Sequence, residues 1–184
     1  MQWASYRYFK TYKNRFSPAE CNQIIGFHEQ SNPAHRKHHL AGDLTRDSHI
    51  FWIRRSETNS WLFERALAIA NEFNETYGFE LCAELNIAQL TRYSVGQYYD
   101  WHMDLGSEEG SRRKISVVVE LTDSESQSGG GIEIFYSEKL KSVIRLGAGD
   151  VMAFHSFVVH RASPVQSGVR WSLVLWVNGP QPFR

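Results

Sequence analysis

A histidine and an aspartate stand two positions apart in the segment YYDWHMD, residues 98–104. If this segment is a β-strand, His102 and Asp104 point to one side and Met103 to the other, because successive side chains alternate between faces. A neutral imidazole and a carboxylate on one face can bind a divalent metal ion. The pair therefore predicts part of a metal site, provided that the segment is a strand and that a third ligand exists.

Two histidines further along the chain, His155 and His160, are candidates for the third ligand. Two imidazoles and one carboxylate form the ligand set of non-haem Fe(II) oxygenases, which leaves the remaining metal positions open. Zinc is the alternative metal, although catalytic zinc sites more often use three histidines or two histidines on one helix.

Arg170 begins the segment RWSLVLWV, which alternates as a strand and would turn this arginine toward the inside of a barrel. A buried guanidinium needs an anion, because an unpaired buried charge costs several kcal/mol. No acidic residue is its neighbour in sequence, so a bound carboxylate ligand is one expected partner. A glutamate from another strand, Glu120 or Glu133, is the other.

Two helices are predicted in the first part of the chain. The segment FSPAEC indicates a helix with Ser17 as N-cap, Pro18 at the first helical position and Glu20 closing a capping box. Apolar residues repeat at helical spacing between residues 61 and 73, and Gly78 would end that second helix. The basic run HRKHH, residues 35–39, has no apolar period and favours a solvated loop.

From about Leu85 onward the pattern changes to short β-rich segments separated by Gly, Ser, Asp and Pro. Together they predict a mainly β fold with N-terminal helices, specifically a double-stranded β-helix, or jelly-roll, barrel. We expect one domain over residues 1–184, with a helical support region at 1–84 and the jelly-roll core at 85–178. The eight predicted strands lie at residues 87–93, 97–104, 114–121, 131–137, 141–146, 150–156, 157–163 and 170–177.

Composition limits the classes of partner. Lys plus Arg and Asp plus Glu are equal at 20 each, so no overall charge favours nucleic acid or an anionic membrane. The first residues lack the apolar core of a signal peptide, and no apolar run is long enough to cross a bilayer. We therefore expect a cytoplasmic protein without a membrane partner. The sequence does not indicate an oligomeric state.

Four segments in order, YSVGQYYDWHMD, GGGIEIF, GAGDVMAFHS and HRASPVQSGVRWSLVLW, resemble the motifs of the iron(II)- and 2-oxoglutarate-dependent dioxygenases, specifically the prolyl-4-hydroxylase-like branch. The resemblance covers roughly residues 85–178. An HxD pair alone would be weak evidence for this family. HxD followed by a distal histidine, with an arginine ten residues after that histidine, is a specific pattern for it.

Position by position, the resemblance implies that His102, Asp104 and His160 bind iron and are the catalytic metal centre. Arg170 would pair with the distal carboxylate of 2-oxoglutarate, and Tyr93 would help to bind it. Two further residues would line the co-substrate pocket, Tyr99 and Gln89.

The chain departs from the resemblance at one place, where Phe154-His155-Ser156 stands in the position of Phe-Pro-Ser. His160 keeps the expected spacing to Arg170, which favours His160 over His155 as the metal ligand. His155 would then be a polar residue at the end of the barrel.

The resemblance implies an enzyme that uses Fe(II), 2-oxoglutarate and O2, with ascorbate as a further candidate cofactor, and that hydroxylates an unactivated C–H bond while releasing succinate and CO2. A prolyl residue in a peptide or protein is the expected substrate. A free amino acid is the alternative, ahead of nucleic-acid demethylation or a non-catalytic jelly-roll binding protein. Residues 31–49 and 123–131 are candidates for a lid or for substrate contact.

Overall fold

The computed structural model describes residues 8–30, 34–40, 43–137 and 140–183. Two α-helices precede most of the strands, α1 (Pro18–Gly26) and α2 (Ser60–Asn74), and two 3₁₀ turns lie at Phe27–Gln30 and Glu108–Arg112. The strands are β1 (Phe9–Tyr12), β2 (Ala34–Leu40), β3 (Asp43–Arg54), β4 (Ile87–Tyr93), β5 (Tyr98–His102), β6 (Arg113–Glu120), β7 (Ser128–Gly129), β8 (Ile132–Ser137), β9 (Leu140–Ile144), β10 (Val151–His155), β11 (His160–Ala162), β12 (Val165–Ser167) and β13 (Arg170–Asn178).

Within the described residues, eleven strands form one curled antiparallel sheet in the order β1-β10-β6-β13-β4-β3-β5-β11-β8-β9, with β2 paired to β3. The short strands β7 and β12 pair separately. Strands distant in sequence are thus neighbours in space. The prediction of a mainly β fold with N-terminal helices is confirmed, and each of the eight predicted segments overlaps a strand.

Both predicted helices are present. Ser17 caps α1, its side chain accepts from the Glu20 backbone, and the Glu20 carboxylate accepts from the Ser17 backbone, as a capping box requires. Helix α2 buries one apolar face, which includes Leu62, Ala66 and Phe73, against the outer surface of the sheet. The helices therefore cover one face of the sheet and leave its inner face for the site.

The helical description of residues 1–84 is incomplete, because β1, β2 and β3 also lie there and join the main sheet. The prediction of a loop at residues 35–39 is wrong, since these residues belong to β2 and pair with β3 along its length. β2 lies outside the main path of the sheet with β3 as its partner. Its exposed Arg36, Lys37 and His38 account for the missing apolar alternation.

Strand register brings the predicted site residues together. His160 on β11 lies directly opposite His102 on β5. Arg170, the first residue of β13, lies opposite Tyr93, the last residue of β4. Because paired residues on antiparallel strands project to the same face, these four side chains share the inner face of the sheet.

Candidate metal centre and its pocket

Three side chains form a compact cluster at the predicted position. The ligand atoms of His102, Asp104 and His160 lie within 4.8 Å of one another. His102 Nε2 is 3.7 Å from Asp104 Oδ1, and His160 Nε2 is 3.8 Å from Asp104 Oδ2. Strand β5 ends at His102, so Asp104 lies just beyond it, and Met103 between them is exposed. The cluster has room for one metal ion between its three donors.

Backbone carbonyls fix the orientation of both imidazoles. His102 Nδ1 lies 2.7 Å from the Asp100 carbonyl oxygen, and His160 Nδ1 lies 2.9 Å from that of Val158. A carbonyl can only accept, so Nδ1 is the donor in each ring, which leaves Nε2 as the nitrogen that can bind a metal. Such a bond from the second ring nitrogen is the usual support of a metal-binding histidine.

Burial keeps the His102 imidazole neutral, whereas the Asp104 carboxyl is ionised. Burial, reinforced by the adjacent His160, lowers the pKa of His102 to about 3. Burial acts to raise the pKa of Asp104, but the two histidines and the Ser116 hydroxyl, which donates to Oδ2 at 2.7 Å, outweigh it and lower that pKa. These are the protonation states that a divalent metal needs, and the donors present therefore fit an Fe(II) ion.

His155 lies on the opposite face of the sheet from this cluster. Its neighbour Phe154 contacts the His160 ring, whereas His155 packs among Phe73, Tyr77 and Phe79. Alternation along β10 separates the two sides. The geometry thus brings His160 to the metal cluster and excludes His155 from it.

The buried His155 makes stability depend on pH. Burial lowers its pKa to about 4, and the unfolded chain has the ordinary value near 6.5, so the unfolded state binds the proton first as pH falls. Between pH 7 and pH 4, we expect the free energy of unfolding of the wild type to fall by about 3 kcal/mol more than that of His155→Phe. Urea unfolding of the metal-free proteins at several pH values measures this difference. Parallel losses in the two proteins would contradict the assignment.

Arg170 has a partner from a neighbouring strand. Its Nε and Nη2 donate to Glu120 Oε2 at 2.9 and 2.8 Å, and the two residues are only 2% and 3% exposed. Of the partners considered from the sequence, Glu120 is therefore the one found, while Glu133 pairs with Arg161. Arg170 Nη1 is the guanidinium nitrogen not bonded to Glu120, and Arg170 also lines the pocket beside the metal cluster.

The Gly-rich segment gives Arg170 its space. Gly130 has φ +63°, and a Cβ atom built on it would lie 2.8 Å from Arg170 Cδ. A larger residue would be strained and would displace the arginine. The segment 123–131, a lid candidate, is tied to the fold here because β7 pairs with β12. The other candidate, 31–49, is mostly the β2–β3 hairpin, and residues 31–33 and 41–42 lie outside the described part.

The remaining predicted residues also line the pocket. Tyr93 is 5% exposed, with the Arg170 guanidinium 5.5 Å from its ring centroid. Tyr99 stacks on His102 with 3.5 Å between ring centroids and 12° between planes. Gln89 lines the pocket and donates to Thr91 Oγ1 at 3.0 Å. All seven predicted site residues therefore face one cavity.

Sequence reasoning missed two residues of this site, Ser116 and Arg46, and offered Glu120 only as an alternative partner of Arg170. Ser116 and Glu120 both come from β6, where they contact Asp104 and Arg170. Arg46, from β3, lines the pocket with its guanidinium 4.3 Å from the Tyr99 ring centroid. The polar positions within the apolar run of β6 were the available signal, since a buried strand rarely carries Ser and Glu without a partner.

Residues 88–178 match the sequence model of the 2OG-Fe(II) oxygenase superfamily. This part of the chain belongs to that superfamily. Membership in this superfamily implies the use of Fe(II), 2-oxoglutarate and O2. The cluster of His102, Asp104 and His160 fits the requirement for Fe(II).

Curated relatives of this 2OG-Fe(II) oxygenase domain are named PKHD-type hydroxylases. The protein from Synechococcus sp. strain CC9605 is 31% identical over 144 residues, which cover 74% of this chain and 65% of the relative. That from Idiomarina loihiensis is 35% identical over 89 residues, which cover 48% and 40%. The chain thus spans less than two thirds of the length of these relatives.

Solved structures share the fold of this domain over nearly its whole length. A prolyl-4-hydroxylase from Pseudomonas putida matches with a TM-score of 0.73 and 20% identity, over 96% of this chain and 95% of that one. A viral collagen prolyl hydroxylase from Paramecium Bursaria Chlorella virus-1 matches with a TM-score of 0.71 and 20% identity, over 96% and 99%. The predicted jelly-roll fold is confirmed.

None of the described helices is long and apolar enough to span a membrane.

Proposed function

We propose that this chain is an Fe(II)- and 2-oxoglutarate-dependent dioxygenase that hydroxylates a prolyl residue in a peptide or protein. The observation that carries the proposal is the His102, Asp104, His160 cluster in a pocket that also holds a buried arginine. The names of the PKHD-type hydroxylases and prolyl hydroxylases to which the chain is similar support the choice of substrate.

In this proposal His102, Asp104 and His160 are the metal ligands. The carbonyl acceptors at Nδ1 hold both rings with Nε2 toward Asp104. The Ser116 hydroxyl holds the Asp104 carboxylate and itself contacts the Ser156 hydroxyl at 3.0 Å. Because these partners are fixed before metal arrives, little reorganisation accompanies binding.

Arg170 and Tyr93 bind the distal carboxylate of 2-oxoglutarate, and Tyr99 and Gln89 line the same space. Glu120 holds the Arg170 guanidinium by two of its nitrogens, so that Nη1 is the nitrogen available to the co-substrate. A planar guanidinium in a fixed position recognises a carboxylate more specifically than a flexible lysine does. Glu120 is thus a positioning residue.

Bound iron with 2-oxoglutarate and O2 supplies the oxidation, in which 2-oxoglutarate becomes succinate and CO2 and one oxygen atom enters the C–H bond. The contribution of the chain is to bind and orient these groups and to limit water in the pocket. Stacking of Tyr99 on His102 covers one face of that imidazole and serves this purpose.

Two measurements on the wild-type protein test the proposal. Fe(II) and 2-oxoglutarate added without oxygen should produce the weak visible charge-transfer band of a metal-chelated 2-oxo acid. After admission of O2, a proline-rich peptide should gain the mass of one oxygen atom and succinate should form in equal amount. Omitting iron is the control. A folded, iron-binding protein that gives neither band nor succinate would refute the dioxygenase proposal, and succinate with an unmodified peptide would refute the substrate.

A further inference from the structure

Arg46 is a buried cation that the proposed reaction does not yet use. The residue is 8% exposed and lines the metal-site pocket. Its Nε donates to Ser48 Oγ at 2.8 Å, but its Nη2 is buried without any acceptor. A buried donor without a partner costs about 1–3 kcal/mol, and more when the group is charged. Such a group in a ligand pocket indicates that a ligand supplies the missing acceptor.

Each of the other arginines of the pocket has a carboxylate or carbonyl partner, although Arg161 Nε, like Arg46 Nη2, is buried without an acceptor. Arg170 bonds to Glu120 and Arg161 to Glu133, each at about 3 Å. Arg113 donates to the Asp104 carbonyl oxygen and lies 4.0 Å from the Trp176 ring centroid. In the part of the chain that the structure describes, no carboxylate forms an ion pair with Arg46, and its Nη2 has no acceptor there.

Arg46 is also placed close to the metal cluster. It lies opposite Tyr99 in the β3–β5 pairing, and its guanidinium stacks over the Tyr99 ring. The same ring stacks on His102. A single aromatic layer therefore separates the unpaired guanidinium from a metal-binding imidazole, and a group bound by Arg46 would hold the adjoining part of a small substrate beside the metal.

We propose that Arg46 binds a carboxylate of the substrate. The inference rests on the proposed function, in which Arg170 already binds the distal carboxylate of 2-oxoglutarate, so that a second anion is left for Arg46. A guanidinium recognises a carboxylate through parallel N–H donors. Trp52 and Trp176, whose ring centroids are 6.3 Å apart, line the same pocket and offer an apolar surface to a pyrrolidine ring. The substrate class is a prolyl compound with a nearby carboxylate, either its own α-carboxylate or an acidic side chain.

Calorimetric binding to protein loaded with Mn(II) and 2-oxoglutarate tests this without turnover. The probes are N-acetyl-L-proline, N-acetyl-L-prolinamide and N-acetyl-Asp-Pro-amide. We expect at least one carboxylate probe to bind wild type about tenfold or more tighter than the amide, a difference typical of one charge-assisted hydrogen bond. Preference for N-acetyl-L-proline would identify an α-carboxylate, and preference for the aspartyl probe an acidic side chain.

Variants of Arg46 assign the preference to this residue. Arg46→Gln should abolish it and Arg46→Lys should retain part of it, while the affinity for 2-oxoglutarate changes less than twofold. Arg54→Gln is the matched control, because Arg54 is an exposed arginine on the same strand and does not line the pocket.

Three results would overturn the proposal. The first is that wild type binds all the probes equally or binds none of them. The second is that Arg46→Gln keeps the preference for a carboxylate probe. The third is that Arg46→Gln loses much of its affinity for 2-oxoglutarate, which would make Arg46 the co-substrate anchor. Failure of the proposed function is seen separately. If N-acetyl-L-proline binds through Arg46 but gains no oxygen, prolyl hydroxylation is refuted and the role of Arg46 is not. If the probe is hydroxylated equally well by wild type and by Arg46→Gln, the role of Arg46 is refuted and prolyl hydroxylation is not.

Discussion

Replacing His160 with alanine is expected to lower the affinity for Fe(II) by more than about 100-fold. Loss of a group that merely orients a metal-binding residue lowers the metal affinity 10–100-fold, and loss of a metal-binding residue itself should lower it further. His160 provides one of the three donors within 4.8 Å, so the variant keeps only His102 and Asp104. Anaerobic titration with Fe(II) and 2-oxoglutarate, followed through the charge-transfer band, measures the effect.

His155→Phe is the matched control for this experiment. Both histidines are buried and five positions apart, but His155 packs among aromatic rings on the other side of β10. The control should give the wild-type band. Equal loss of the band in both variants would indicate a disturbed fold, and loss in His155→Phe alone would show that the wrong histidine had been assigned to the metal.

Glu120→Gln is expected to lower the free energy of unfolding by about 3–5 kcal/mol, because it leaves the buried Arg170 without its anion. Burial raises the pKa of Glu120, and the Arg170 guanidinium opposes this rise and so favours the ionised carboxylate. Saturating 2-oxoglutarate with Mn(II) should stabilise the variant more than the wild type, since its carboxylate replaces part of the missing charge. Urea unfolding with and without these ligands measures both effects.

Two further variants sharpen the Glu120 experiment. Glu133→Gln breaks the pair with Arg161, whose side chain is 31% exposed, and should cost about 1 kcal/mol or less. The double variant Glu120→Leu with Arg170→Leu removes both buried charges and should recover much of the stability, though not the binding of 2-oxoglutarate. An unchanged unfolding midpoint in Glu120→Gln would contradict the view that Arg170 relies on Glu120.

The C-terminal half of the fold could be predicted because its strands are short β-rich segments separated by clear turn residues. β3 could not, because its buried polar residues Arg46 and Ser48 interrupt the apolar pattern by which a strand is recognised. β2 has the same difficulty, because its central residues Arg36, Lys37 and His38 are polar and exposed. Function at the inner face thus obscured the structural signal.

The residues of the candidate metal site could be singled out from the sequence because their spacing resembles a known family and two of them lie almost together in sequence. The pairing of Arg170 with Glu120 could only be offered as one alternative, since the two residues are fifty positions apart and strand register decides whether they meet. Arg46 carried no sequence signal at all. Its importance follows from burial and from the absence of an acceptor at Nη2.

The strand order has a consequence for how the chain folds. The metal cluster needs β5 and β11 to pair, the arginine site needs β4, β6 and β13, and β1 completes the edge by pairing with β10. Nearly all these pairings join distant parts of the chain, which is the topology of slow-folding proteins. No early fragment of the chain can contain the whole site. The cofactor therefore meets an essentially finished barrel, and its binding energy opposes unfolding instead of guiding the chain to its native pairing.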